Sequence, residues 1–426
     1  MSETISPQAA QTPRPLRLLL ASYGGGHVQI VSELARAFAE RGDDPDVIGF
    51  TTAHAELRRQ GIAARPVSSL LDRAEDVEWL TLAEEFTGST THPDIPSEET
   101  RAYFALGLRD LAQAIGREAA LARVRESGRT AFEPVGVMRR HLRQIRPEIV
   151  ITTTSPRFEC ALQKAARLEG IPGLAVGDLF LIQEHWILQP GYAPYLTVLS
   201  DEVARALVAK GFPESGLRVT GNPAFDRLAP DPGDAARRDA LRARLGLGDR
   251  TVILFPATSG QMSMGSGAFM ELADVVAAFE ELCRADPRYT YLIRQHPNRP
   301  ITLPEGARHG MLDDGSLLGP EDAILVSDIV CVEVSTMGVE AALKGKPVIC
   351  VGFDEYSHYP KFGLGQSAAD MDEAVAIIRA GPADTVAKFE MPPLGNATTN
   401  VLAYVDDILS KHAGSFSSNQ TDEEPQ

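Results

Sequence analysis

The sequence predicts an α/β fold of two Rossmann-like domains that face each other across an interdomain cleft. Three observations predict it. The apolar run 16–21 breaks at Tyr23-Gly24-Gly25-Gly26-His27 and gives way to a helical period over 28–41. Far along the chain, the run 329–334 breaks in the same way at Ser335-Thr336-Met337-Gly338-Val339-Glu340, followed by Gly345-Lys346-Pro347-Val348-Ile349. Between them, short β-branched runs alternate with helical periods, the rhythm of parallel sheets covered by helices. Each break is a strand–turn–helix junction. There the free N–H groups of the first helical turn and the helix dipole favour a phosphate or another anion.

Taken in order, residues 1–15 are polar, lack the apolar stretch of a secretory signal, and read as a disordered leader. A first domain spans 16–222, with strands at 16–21, 47–51, 149–153, 174–176, 197–199 and 218–220 and helices at 28–41, 157–169 and 201–210. Residues 71–146 form an insertion in it, acidic and irregular over 71–99 and mostly helical over 102–146. Gly211, Pro213, Pro223, Pro230 and Pro232 then punctuate the chain and mark a boundary. A second domain spans 223–410. Its polar helix 234–245 precedes strand 252–255, a Ser/Gly/Met loop at 258–267, helix 269–285 and strands at 289–294, 329–334 and 348–351. An aromatic, Gly-rich loop covers 353–365, and a last helix at 399–409 is expected to return to the first domain. The tail 411–426 is polar, acidic at its end, and reads as disordered.

With 426 residues and 44% hydrophobic content, the chain can bury two cores. A net charge of −17 argues against general nucleic-acid binding, which needs a basic footprint. No apolar stretch approaches the ~20 residues that span a bilayer. Cys160, Cys283, Cys331 and Cys350 lie far apart, which fits buried thiols in a reducing cytoplasm. Charge is uneven, however: residues 101–146 hold ten arginines against four acidic residues. They read either as a solvated helix face or as a site for anionic lipid or an acidic acceptor, so peripheral contact at the inner membrane face stays open.

Ser335 and Thr336 can offer hydroxyls and backbone N–H groups to a diphosphate. Glu340 falls about one turn later, where a carboxylate can accept both ribose hydroxyls. A helix simply capped by Ser335, with Glu340 exposed, is the plain alternative. In the first domain, Gly24, Gly25 and Gly26 let backbone approach a ligand without a Cβ clash. His27 can act there as base or phosphate ligand. Ser155 and Arg157 occupy another strand-to-helix turn, and Asp178 follows an apolar strand with Glu184 and His185 close behind. Carboxyl ends of strands line the binding crevice of open α/β sheets. His27, Asp178, Glu184 and His185 are therefore all eligible to take a proton, and the sequence does not choose among them.

The segment from Asp328 to Ile349, with its apolar strand, Ser-Thr pair, Glu340 and Leu-Lys-Gly-Lys-Pro-Val, resembles the donor-binding segment of GT-B nucleotide-sugar enzymes. Val219-Thr-Gly-Asn-Pro-Ala-Phe-Asp226 is similar to the hinge motif of the hydrolysing UDP-N-acetylglucosamine 2-epimerases. Arg294-Gln-His-Pro-Asn298 resembles a strand end found in the same groups, and Gly24-Gly25-Gly26-His27 looks like the Gly-rich loop of transferases acting on lipid-linked acceptors. The chain departs from the epimerases in two places. They open with a Gly-Thr-Arg-Pro-Glu type loop and carry a His-Arg-Arg-Glu-Asn type segment after the hinge. Here those places hold the triple glycine and Pro256-Ala-Thr-Ser-Gly-Gln261. Retaining GT-B transferases often show two glutamates eight positions apart, whereas Glu333 and Glu340 are seven apart, which favours inversion.

The resemblance implies a cytoplasmic glycosyltransferase of GT-B type that moves a sugar from a nucleotide-diphosphate sugar, of UDP type, to an unknown acceptor (glycan, lipid-linked or small molecule). A hydrolysing 2-epimerase and a non-catalytic nucleotide-sugar-binding subunit are the alternatives. Thr258, Ser259, Gly260, Arg294, His296, Ser335, Thr336 and Glu340 would hold the donor. Gly24, Gly25, Gly26, Ser155 and Arg157 would serve the acceptor or a phosphate, and Gly221, Asn222 and Pro223 the hinge. No metal and no cofactor beyond the nucleotide sugar are expected, and a homodimer is compatible with the sequence.

Overall fold

The computed structural model describes residues 14–72, 74–88, 92–258, 270–296, 299–352, 360–383 and 390–418. The chain divides into two compact units, Met1–Ala224 with Asn396–Gln426, and Phe225–Gly395.

The first unit is built on six parallel strands: β1 (Arg17–Ser22), β2 (Asp44–Gly49), β3 (Ile149–Thr152), β4 (Gly173–Val176), β5 (Tyr195–Val198) and β6 (Leu217–Val219). Their order is β2-β1-β3-β4-β5-β6. Beyond β2, Arg65 makes one parallel bridge to Ile48, receiving Gly49 N–H on its carbonyl (3.0 Å) and donating to Val47 (2.8 Å). The outer strand of a Rossmann sheet is thus reduced to a single residue. Strand pleating sends Leu18 and Leu20 to one face, with Val28, Val31 and Phe38 of the helix Gly26–Arg41, and Leu19 and Ala21 to the other.

That second face is covered by the insertion. Helices Val77–Thr87, Ser97–Ile115 and Val135–Ile145 bury Phe86, Tyr103, Phe104 and Met138 against it. Residues 71–99 are accordingly more regular than expected. Ala83 and Phe86 anchor a helix whose apolar face is too short to stand out among acidic residues. The arginines of the stretch are largely paired within the unit: Arg109 and Arg140 with the buried Asp76, Arg139 and Arg143 with Glu169, Arg117 with Glu78 and Arg125 with Glu85.

In the second unit the strands are β7 (Thr251–Pro256), β8 (Tyr289–Arg294), β9 (Gly310–Asp313), β10 (Ile329–Val332), β11 (Val348–Val351) and β12 (Gln366–Ala368), all parallel. The order β12-β11-β10-β7-β8-β9 is the full six-stranded Rossmann order read from its far edge. Strands β9 and β12 were not expected. Each is an edge strand with one fully buried residue and few β-branched side chains, so neither carries a strand pattern.

The boundary after Ala224 adjoins Gly221-Asn222-Pro223, but the assignment of 223–410 to one domain needs correcting. The last helix, Ala397–Ser418, belongs to the first unit, where Val401, Tyr404, Val405 and Ile408 fill the face formed by Leu18 and Leu20. The Tyr404 hydroxyl donates to the Gly216 carbonyl (2.9 Å), and Arg41 pairs with Asp406 (3.0 Å). This helix also continues through 411–418, where a disordered tail was expected. The leader over 1–13 and the end over 419–426 lie outside the described residues. Among the described residues no helix is long and apolar enough to cross a membrane.

Candidate functional site

Rossmann sheets bind ligands at the carboxyl ends of their strands where the winding reverses. In the first unit that point lies between β1 and β3. The turn after β1 needs its glycines: a Cβ on Gly24 would stand 1.8 Å from Thr52 Oγ1, and Gly25 has φ 74°. Tyr23 N–H donates to Glu159 (2.8 Å), and Thr153 Oγ1 donates to the other oxygen of that carboxyl (2.6 Å). Burial pushes the Glu159 carboxyl above its ordinary range. Glu159 thus ties the two turns of the switch point together.

His27, in the first turn of its helix, is half-buried, with Nε2 3.8 Å from Asp178 Oδ2. That is ion-pair reach, longer than a hydrogen bond. Nδ1 is buried and has no hydrogen-bond partner among the described residues. Asp178 accepts its neighbour's N–H from Leu179 (2.8 Å), and its carbonyl receives Asn222 Nδ2 (2.6 Å). Asn222 therefore fastens the Asp178 loop, while its Oδ1 takes the N–H of Ala224 (2.8 Å). Gly221, before it, has φ 80°, and Pro223 begins a 3-10 turn to Leu228. The Glu184 carboxyl is raised by burial and then by the Asp178 charge. His27, Asp178 and Glu184 form one electrostatic group. His185 does not join it: its ring is exposed and Nδ1 lies on the Gln183 carbonyl (3.1 Å). As a candidate base, His185 is set aside on that geometry.

Ser155 is buried at the turn after β3. Arg157 caps the next helix at φ 67°, with its guanidinium 4.9 Å over the Tyr23 ring and its Nε buried without a partner.

In the second unit the switch point lies between β7 and β10. Ser335 caps the helix Thr336–Leu343 by accepting from Met337 N–H (3.3 Å). Thr336 opens that helix, whose first-turn N–H groups have no intrahelical partners. Glu340 is buried, not exposed as a plain capped helix would have it. One oxygen takes Arg227 Nη2 at 2.9 Å, and Oε2 is buried with no partner among the described residues. Burial raises this carboxyl while Arg227 pulls it down. Arg227 also meets Glu321 at 2.8 Å. Two residues before Ser335, the buried Glu333 accepts Met270 N–H (2.8 Å), and desolvation pushes its carboxyl to about 7.

Arg294 is a correction. Its guanidinium is buried on Asp313, itself fully buried, and also donates to the Leu318 carbonyl. A charge neutralised in this way fixes β8 to β9 and is not free for donor phosphates. His296 is half-buried, and burial lowers its pKa, which favours the neutral ring. Thr258 ends the described segment after β7 and is half-buried. Ser259 and Gly260 lie outside the described residues.

Among the described residues, no three His, Cys, Asp or Glu side chains are grouped to hold a metal. The two Asp-x-Asp pairs of the sequence serve local structure. Asp46 receives Arg65 Nε (2.8 Å), and Asp370 caps the helix Met371–Ala380. Sequence reasoning missed Glu159, Arg227 and Tyr23. Glu159 opens a helix after a Thr/Ser turn, and Arg227 ends the Gly221-Asn222-Pro223 segment, so position alone could have nominated both.

No protein-family model matches the chain, and a search of curated proteins gives no match. Solved structures do match. The UDP-GlcNAc 2-epimerase of Neisseria meningitidis bound to UDP-GlcNAc has TM-score 0.58 at 14% identity, covering 92% of this chain and 100% of its own. S. aureus MnaA with UDP has TM-score 0.57 at 12% identity, covering 96% and 99%. The glycosyltransferase SnogD of Streptomyces nogalater has TM-score 0.51 at 14% identity, covering 92% and 100%. The chain therefore shares the two-sheet α/β fold of these structures. At these identities the likeness is one of fold, and chemistry has to be argued from the side chains.

Proposed function

We propose that this chain is a nucleotide-sugar enzyme, and that its reaction is inverting transfer of the sugar to an acceptor hydroxyl. The observation that carries the reading is the His27–Asp178 pair at the switch point of the first unit, with Glu184 coupled to it. An imidazole backed by a carboxylate can take a proton and be stabilised as it becomes a cation. The His27 ring would accept the proton of the acceptor hydroxyl. The acceptor oxygen then attacks the anomeric carbon as the bond to the diphosphate oxygen breaks, and the nucleotide diphosphate leaves with the electron pair.

In the second unit, the helix start at Ser335 and Thr336 would receive the diphosphate on N–H groups. Fixed donors aimed at the charge that develops on a leaving group lower the barrier more than most other devices of an active site. The unpartnered oxygen of Glu340 would accept ribose hydroxyls. His296, with its neutral ring favoured, would add an N–H donor. The reading requires no metal.

A second reading, hydrolysing 2-epimerisation, has its own support. Asp178 and Glu184 are two interacting carboxyls, as proton removal and return at one carbon would use, and two of the matched structures are a UDP-GlcNAc 2-epimerase and a co-structure with UDP. The full chain incubated with UDP-N-acetylglucosamine and UDP-glucose separates the readings. UDP release that depends on an added acceptor (alcohol, sugar phosphate or lipid-linked) identifies the transferase. Free N-acetylmannosamine without an acceptor identifies the epimerase, and binding without turnover identifies a donor-binding subunit.

A further inference from the structure

We propose that the first unit carries an anion site between Arg129 and Arg157, beside the Tyr23–Tyr103 hydroxyl pair, that receives a phosphoryl group of the acceptor. The inference rests on the reading of this unit as the acceptor side. It begins from an imbalance of charge. Most arginines of residues 101–146 are neutralised by carboxylates of the same unit. Arg129 and Arg157 are half-buried, and among the described residues neither makes an ion pair. Both are partly desolvated cations with no carboxylate in ion-pair contact, an arrangement that a bound anion would complete.

The site has walls of its own. The Tyr23 and Tyr103 hydroxyls lie 2.7 Å apart, and Phe158 N–H donates to the Tyr23 oxygen (3.3 Å). One phenol donates to the other, so one hydroxyl hydrogen is left over for a ligand. Tyr103 and Arg129 line a narrow surface crevice together with Thr51, Glu99 and Phe104. Across the tyrosine pair, Arg157 lies over the Tyr23 ring with its Nε buried and unpartnered. Burial and the neighbouring Arg157 charge both pull Arg129 below the ordinary guanidinium range, so the two cations do interact.

Nearby carboxylates answer this charge only at a distance: Glu159 attracts Arg157 without an ion pair. Glu99 is engaged by Ser68 through both its N–H (3.0 Å) and its hydroxyl. Glu159 is engaged by Tyr23 and Thr153. Backbone strain converges on the same edge: Thr51 has φ 54° and Arg157 φ 67°, two of the four non-glycine residues with positive φ among those described. Such strain persists where surrounding structure enforces it, and it clusters at ligand sites. A phosphoryl group suits the chemistry because guanidinium forks meet its oxygens with paired N–H donors.

The test titrates inorganic phosphate into the full chain, already saturated with UDP to occupy any nucleotide site, at constant ionic strength held by chloride. Calorimetry should show saturable binding that weakens at least tenfold in Arg129→Gln and in Arg157→Gln and vanishes in the double variant. Arg129→Lys and Arg157→Lys keep the charge if the glutamine variants do not fold, and should bind more weakly than the native chain because the fork is lost. Exposed Arg123→Gln should bind as the native chain does. No saturable binding to the native chain, or equal binding by the double variant, overturns the proposal. The measurement involves no sugar transfer, so its failure leaves the turnover test of His27 standing, and the converse also holds.

Discussion

The two switch points occupy matching places in two sheets of the same lineage of folds, yet their side chains are provisioned differently. After β10, the charged groups have ion-pair partners: Glu340 through one oxygen with Arg227, and at the β8 end Arg294 with Asp313. After β1 and β3, the groups are held near one another without being satisfied. His27 stands 3.8 Å from Asp178 with a buried, unpartnered Nδ1, and Arg157 lies over an aromatic ring. Paired charges give a rigid cradle. A histidine held beside a carboxylate without a close hydrogen bond is placed to exchange a proton with a ligand. Under the proposed function, holding the nucleotide and moving a proton would fall to separate units of this chain.

The largest effect that would break this contrast is on rate. His27→Ala should lower turnover by about 10²–10⁴, the usual worth of a general base, in an assay of UDP release from the best UDP-sugar. A loss under threefold would leave His27 as a mere lining residue. Next comes stability. Arg294→Gln should cost about 3–5 kcal/mol, because it leaves Asp313 buried without its cation. Urea unfolding would read this cost. The UDP affinity of the folded fraction should be unchanged, and a selective loss of UDP binding at native stability would return Arg294 to the donor site.

Much of this arrangement was legible in the sequence, for physical reasons. Runs such as Leu18-Leu19-Leu20 and Ile149-Val150-Ile151 are buried on both faces, and continuous apolar runs of that kind mark central parallel strands. The first turn was legible because Gly25 has the positive φ that favours glycine and a Cβ on Gly24 would crowd Thr52. What was hidden depended on distant partners. Glu159 acquires its role from Tyr23, 136 residues away, and Asp406 on the last helix meets Arg41 across 365 residues. No local pattern encodes such pairs. The edge strands β9 and β12 were hidden because an edge demands little burial. Arg294 misled because a basic residue at a strand end looks the same whether it waits for a phosphate or neutralises a buried aspartate.

A smaller effect concerns pH. The Glu333 carboxyl is held at about 7 in the folded chain, above the ordinary 4.5. A raised acid binds more protons folded than unfolded between those values, so its stabilising contribution is full below pH 4.5 and is lost as pH rises through 7. The loss is on the order of 3 kcal/mol by pH 8. Glu333→Gln should therefore flatten the fall in melting temperature between pH 5 and pH 8 relative to the native chain. An identical fall in both would show that Glu333 is already ionised across that range.

The division of labour is tested most directly by calorimetric titration of UDP into the native chain, Glu340→Gln and His27→Ala under one buffer. Charge-assisted bonds to ribose hydroxyls are worth about 1.5–3 kcal/mol each. Glu340→Gln should accordingly bind UDP at least tenfold more weakly, while His27→Ala binds it as the native chain does. The reverse pattern, UDP affinity lost with His27 and kept without the Glu340 carboxylate, would put the nucleotide on the Gly24–Gly26 turn and contradict the account.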